Sequence, residues 1–332
     1  MRRIVLFTNA IAGFLAVGLC VGVSQVPSQV AAADSPSPGD HWVGSWTASP
    51  TDAVVPTDAG GLPVPELLCD QTLRMVITPH LGGSTLRVHL SDRFGQASAQ
   101  FSHVTIGIAR DEAVSNVVPV TFGGDPEVSI PTGTDVVSDP VELTFPAFAQ
   151  LAVSVFVPGV QGLPTKHWNA NATSFYSLPG SGDLTASPTD AAFLGRTEAW
   201  LYVDGLDVEV PAATASIVAF GDSITDGYVA ATPLSQPASQ SIVDKNGRYP
   251  DDLQRRLIHA GIPLSVVNAG IGSNRVVTDG EPLMLGLSAL QRFKEDALDV
   301  PGVKGVLFTE GINDLGLPPA TTTSDQLIAG YE

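Results

Sequence analysis

Ser216-Ile217-Val218-Ala219-Phe220-Gly221-Asp222-Ser223-Ile224-Thr225-Asp226-Gly227 is the stretch whose reading decides the fold. An apolar run stops abruptly at a small, polar, turn-forming cluster, the pattern of a buried parallel strand that delivers Ser223 to a sheet edge. Two later stretches repeat the design. Leu264 to Val267 runs into Asn268-Ala269-Gly270-Ile271-Gly272-Ser273-Asn274, and Val306 to Thr309 runs into Glu310-Gly311-Ile312-Asn313-Asp314. In open α/β sheets ligands sit beyond the carboxyl ends of the strands, so polar clusters on three consecutive strands can converge on one site.

Upstream the period is different. From Gln71 to about Pro211 apolar residues alternate with polar ones: Leu73, Met75 and Ile77; Leu86, Val88 and Leu90; Val104, Ile106 and Ile108; Leu151, Val153, Val155 and Val157. With Gly, Pro and Asp between the runs, this predicts about eight short strands and a β-sandwich. Trp42 and Trp46, near the start of the ordered chain, read as core or sheet anchors rather than a sugar-stacking platform. Leu178 to Ala192, dense in Gly, Ser, Pro and Asp, reads as a mobile surface loop. The sequon Asn171-Ala172-Thr173 is given no function.

The pattern changes at Pro211-Ala212-Ala213-Thr214, where strands begin to alternate with helices. One helix is predicted from Pro250 to Gly261 with Leu253, Leu257 and Ile258 on one face. A second is predicted from Gly286 to Leu298 with Leu287, Leu290, Phe293, Ala297 and Leu298, and a third starts at Asp325. The organisation expected is residues 1–33 as signal peptide, 34–40 as flexible leader, 41–211 as a β-sandwich module and 212–332 as an α/β domain with a parallel sheet.

Arg2 and Arg3, the apolar run Ile11 to Val23 and then Ala31-Ala32-Ala33 follow the order of a secretory signal peptide, with cleavage expected after Ala33. Export is favoured over a stable membrane anchor because the run is short for a span. The net charge of −18, from 16 Lys and Arg against 34 Asp and Glu, argues against nucleic acid as a partner. Loss of the signal would leave Cys69 as the one thiol, read as a small buried hydrophobe. No cluster has structural-zinc spacing and no Gly-rich phosphate loop is followed by Lys, so no metal or cofactor is expected. No serine is flanked by glycine on both sides, which disfavours the Gly-x-Ser-x-Gly nucleophile elbow.

Gly-Asp-Ser-Ile-Thr at Gly221 to Thr225, the Asn-Ala-Gly-Ile-Gly block at Asn268 and Gly-Ile-Asn-Asp at Gly311 resemble the first three blocks of the SGNH (GDSL) hydrolases. The resemblance implies a three-layer α/β/α domain and a serine esterase in which Ser223 is the nucleophile. Its oxyanion hole would be formed by the N–H of Ser223, a second-block N–H and the side-chain amide of Asn313. The family's donor glycine lies five residues after the block's Asn, where this chain has Ser273; Gly272 lies one residue earlier, and both stay candidates. Taken singly, Asn313-Asp314 could be a helix cap, and Asp222 and Asn268 read as turn-stabilising residues.

The family's last block, Asp-x-x-His, is absent. None of His41, His80, His89, His103, His167 and His259 has Asp three residues before it or follows the third block. The resemblance therefore implies an α/β domain that is incomplete at its C-terminal end, and low activity for these 332 residues alone. Expected substrates are carboxylic esters, small or polysaccharide-borne. The alternative expectation is a non-catalytic carbohydrate- or surface-binding protein that uses the sandwich.

Overall fold

The computed structural model describes residues 40–228, 242–280, 286–316 and 322–332. The expected signal peptide, and all of the leader before Asp40, lie outside the described residues.

Alternation of period two gives each strand one face for the core, and two antiparallel sheets result. Strands are numbered in chain order. One sheet runs β1 (His41–Thr47), β15 (Val203–Val210), β3 (Gly83–Ser91), β8 (Asp135–Val137), with β9 (Val141–Phe145) also paired to β3. The other runs β13 (Gly195–Thr197), β12 (Ser174–Tyr176), β2 (Leu68–Ile77), β10 (Leu151–Gln161), β5 (His103–Arg110), β6 (Ala113–Val120). Two short pairs accompany them, β4 (Ala99–Phe101) with β7 (Val128–Ile130) and β11 (Lys166–His167) with β14 (Trp200–Leu201).

Val43, Leu86, Val88, Leu206 and Val208 of the first sheet share one buried cluster with Leu73, Met75, Ile77, Ile106 and Val153 of the second. Each such side chain contributes about 1.5–3 kcal/mol by leaving water, so this core is what holds the two sheets together. Trp46 lies inside it, edge-to-face with Trp200 at 4.8 Å. Trp42 sits nearer the surface under the guanidinium of Arg87.

The stretch Leu178 to Ala192 is irregular, as expected, but it is pinned rather than loose. The buried Arg74 donates to the carbonyls of Leu184, Ser187 and Thr189 and pairs with Asp190 at 2.8 Å. A buried guanidinium needs this many acceptors, and the loop supplies them.

Beyond Thr214 the pairing turns parallel. β16 (Ala215–Gly221) lies between β17 (Leu264–Gly270) and β18 (Val303–Thr309). The helices are α1 (Ser223–Asp226), α2 (Tyr249–His259), α3 (Ala289–Phe293) running into a π-helical turn at Lys294–Leu298, α4 (Ile312–Gly316) and α5 (Ser324–Tyr331). Two predicted helical faces need correction. In α2 the buried positions are Pro250, Asp251 and Gln254, while Ile258 is exposed. Leu290 and Leu298 are exposed as well, and the buried positions there include Arg292 and Ala297; the π turn rotates Leu298 off the α period.

That polar face of α2 and the sandwich together close the outer edge of β17. Gln254 Nε2 donates to Leu264 O at 3.1 Å, and its Oε1 accepts from Val266 N at 2.6 Å. His80 bonds Val266 O and, through Nε2, Asp251 at 2.8 Å; Thr47 Oγ1 donates to Asn268 O at 2.9 Å. An edge strand whose peptide groups are satisfied by side chains cannot recruit another strand there.

Candidate active site

The three polar clusters meet because their strands are in register. Gly221 of β16 pairs with Gly270 of β17 on one side and with Thr309 of β18 on the other. Neighbouring strands lie about 4.8 Å apart, so the residues just past these three positions gather at one end of the sheet. Glycine is required at two of them. A Cβ on Gly221 would lie 2.4 Å from Thr309 O, and one on Gly270 would lie 2.3 Å from Asp226 N. Their absence lets α1 sit directly on the strand ends.

Ser223 opens α1 and is half-buried. Asp222 caps the helix, accepting from Ile224 N at 2.9 Å, and Gly227 closes it in the left-handed conformation. Among the described residues neither the Ser223 hydroxyl nor its N–H has a hydrogen-bond partner. Asn268 serves the turn, as expected: its Oδ1 accepts from Gly270 N and its Nδ2 donates to Thr225 O, both at 2.8 Å.

The two second-block candidates differ. Gly272 N donates to Asp226 Oδ2 at 2.8 Å and is committed. Ser273 is half-buried, with φ +60°, and its N–H has no acceptor among the described residues. Serine therefore occupies a left-handed position at which glycine would carry less strain.

Asn313 is buried and donates through Nδ2 to Asn274 O at 2.8 Å, which leaves its second amide hydrogen. Asp314, also buried, accepts from Val276 N at 2.8 Å and Val277 N at 3.0 Å. This pair thus ties the third block to the second.

Four residues that shape the site were not singled out from the sequence. Arg292 is buried beneath it and donates to Gly221 O at 3.1 Å, Ala269 O at 2.7 Å and Asn274 Oδ1 at 2.9 Å. It also reaches Ser49 Oγ of the sandwich and stacks 3.9 Å from the Phe220 ring centroid. One guanidinium thus satisfies the carbonyls at two strand ends. An Arg inside an otherwise apolar helical pattern was the available signal. Its neighbour Glu310 is buried, and burial first, aided by Asp222 and Asp314, pushes its pKa up to about 8 despite Arg292 at 3.5 Å.

His167 and Asp226 are the other two. Asp226 is buried at the end of α1, and His167 Nε2 lies 3.2 Å from its Oδ1. Asn171 Nδ2 donates to the carbonyls of Asp226 and Gly227 at 3.1 and 3.2 Å, so the sequon amide is occupied. Nothing local in the sequence pairs residues 59 positions apart. His259 is exposed at the end of α2, and Cys69 is a half-buried free thiol rather than a core residue. Among the described residues no cluster of His, Cys, Asp and Glu could hold a metal ion.

Residues 219–331 match the family model described as GDSL-like Lipase/Acylhydrolase family. The crystal structure of AlinE4, an SGNH-hydrolase family esterase, is 28% identical over 35% of this chain and 50% of its own, with a TM-score of 0.25. A family two carbohydrate esterase from Clostridium thermocellum, solved in complex with cellohexaose, is 12% identical over 86% of this chain and 70% of its own, with a TM-score of 0.24. The chain spans about half the length of the first of these structures. Comparison with curated proteins gave no match.

Proposed function

The segment 219–331 belongs to the GDSL-like lipase/acylhydrolase family, and from that premise we propose that the chain is a serine esterase acting on carboxylic esters. Ser223 attacks the acyl carbonyl, the alcohol leaves, and water resolves the acyl-enzyme. The developing oxyanion takes hydrogen bonds from Ser223 N–H, Ser273 N–H and Asn313 Nδ2. The observation that supports this is the set of uncommitted donors. These three groups each keep a hydrogen with no described acceptor, at strand ends that are in register. Residues 41–211 are read as a sandwich module and 212–332 as the hydrolase module, built on the α/β/α plan.

The reading extends to export after cleavage near Ala33. Among the described residues no helix is long and apolar enough to cross a membrane. It also extends to low turnover by these 332 residues alone, since the Ser223 hydroxyl meets no described base. His167, the buried histidine that reaches α1, has acceptors at both ring nitrogens. The oxyanion hole and binding by themselves leave about 10³–10⁴ over water.

The test is hydrolysis of p-nitrophenyl acetate by the chain and its Ser223→Ala variant. Where turnover is measurable, the variant is expected to lose whatever acceleration the nucleophile supplies, about 10⁴–10⁶ in a complete triad, with unchanged circular dichroism. Equal rates in both proteins, at a turnover above the residual that the oxyanion hole and binding leave by themselves, would remove Ser223 as the nucleophile.

A further inference from the structure

The assignment of Ser273 as oxyanion donor leaves open what holds its loop in place. Residues 271–274 are fixed at several points. Ile271 N donates to Gly221 O at 2.9 Å, Asn274 O accepts from Asn313, and Gly272 N is held by Asp226 Oδ2. The Asp226 carboxylate is in turn held from the sandwich. His167 Nδ1 lies 2.7 Å from Ser49 O, and its Nε2 lies 3.1 Å from Asn169 O and 3.2 Å from Asp226 Oδ1. Carbonyl and carboxylate oxygens only accept, so both ring nitrogens must carry hydrogen and the ring is an imidazolium.

We propose that His167, contributed by the β-sandwich, is a positioning residue for the oxyanion hole: its imidazolium orients Asp226, which clamps Gly272 and so presents the N–H of Ser273. The inference rests on the reading of Ser223 and its donors given above. It assigns to the sandwich a part in the chemistry beyond packing. Hydrogen bonds between charged partners are stronger than neutral ones of the same length, which suits a clamp that must hold a left-handed serine.

The surroundings agree with a charged ring. Burial works against it, yet the Asp226 charge and the three hydrogen bonds outweigh burial and raise the His167 pKa. Among the described residues Asp226 is the charged group that acts on the ring. Lys166, next in the chain, is tied to Asp52 at 2.6 Å, and Trp200 offers an uncharged ring at 5.6 Å. The clamp is therefore complete below about pH 6.5 and is lost as pH rises through the raised pKa of His167.

The experiment is NMR on the full chain. In wild type, ¹⁵N spectra should show both His167 nitrogens protonated at pH 6; a neutral ring at that pH overturns the proposal with no variant needed. His167→Gln and Asp226→Asn should each speed exchange of the Gly272 amide about 10–100-fold, the loss of a bond to a charged group. Asn171→Ala removes a sandwich contact to the same helix without touching the carboxylate, so Gly272 should stay protected in it. Equal loss of protection in Asn171→Ala would mean general loosening of the interface, and unchanged protection in both His167→Gln and Asp226→Asn would mean no clamp; either sinks the inference. Ester hydrolysis by Ser223→Ala, run in parallel, addresses the reading of the nucleophile separately, since amide exchange does not depend on activity.

Discussion

Asn313 stands where two explanations of one side chain part company. A cap or turn residue would spend its amide locally, whereas an oxyanion donor must keep one hydrogen for the substrate. Asn313 spends one on Asn274 O and keeps the other. Asn313→Ala is therefore expected to lower the rate constant for ester hydrolysis about 10²–10³-fold with little change in KM. An unchanged rate constant would reduce Asn313 to a tie between the second and third blocks. Arg292 is a residue of another kind, because its guanidinium meets backbone carbonyls that cannot be deprotonated or moved. Truncating it to Met would remove the donor to Ala269 O and one of the two donors to Gly221 O, which keeps Ile271 N, so a loss of about 1–3 kcal/mol is expected in urea denaturation. A variant as stable as the parent would show that water replaces the guanidinium.

At the scale of elements, the decisive contact is α1 lying on the ends of β16 and β17. It depends on hydrogen in place of a side chain at Gly221 and Gly270. Gly270→Ala would put a methyl group 2.3 Å from the backbone nitrogen of Asp226, where no flexible side chain can yield. The expected outcome is a loss of about 1–3 kcal/mol in urea unfolding, the usual cost of overpacking, together with reduced activity because Ser223 and Asp226 share that helix. Full stability would mean that α1 can lift off the sheet freely. The fit of α2 follows a different logic. Its buried face is polar because it completes the hydrogen bonds of an edge strand, and this is why an apolar periodicity could not find it.

Across the whole molecule, several buried acids share one sign. Burial raises Glu310 to about 8, and burial together with Asp135 raises Asp204 to about 7 in a cavity of about 410 Å³ between the sandwich and the helix-bearing part. The native chain keeps these protons where the unfolded chain releases them, so stability falls as pH rises from about 4.5 to 8. The raised pKa of His167 acts in the same direction, its contribution being lost as pH rises through that value. Asp207 and Asp251 are held below the ordinary carboxylate range, despite burial, by His89 and by Arg248, and their contribution disappears only as pH falls below about 4. The melting temperature is thus expected to peak near pH 5 and decline toward pH 8, with a shallower decline in Glu310→Gln. A melting temperature that rises over that interval would contradict the assignment of protonated buried acids.

The sequence by itself determined the parts that depend on short-range periodicity. The period-two alternation before Pro211 announced antiparallel strands, and the three apolar runs ending in polar clusters announced parallel ones and placed Ser223, Ser273 and Asn313 beyond their ends. Order within each block carries that information, because side chains two or four residues apart must share a face. What only the tertiary structure decided are the long-range pairings: His167 with Asp226, Arg292 with the carbonyls of two strands, Gln254 with the edge of β17, and Arg74 with the loop expected to be mobile. The proposed preference for Ser273 over Gly272 rests on a contact of the same kind. It turned on which N–H a carboxylate 46 residues away had already claimed, and a buried hydrogen bond leaves no periodic trace in the chain because its partners are brought together by packing, not by spacing.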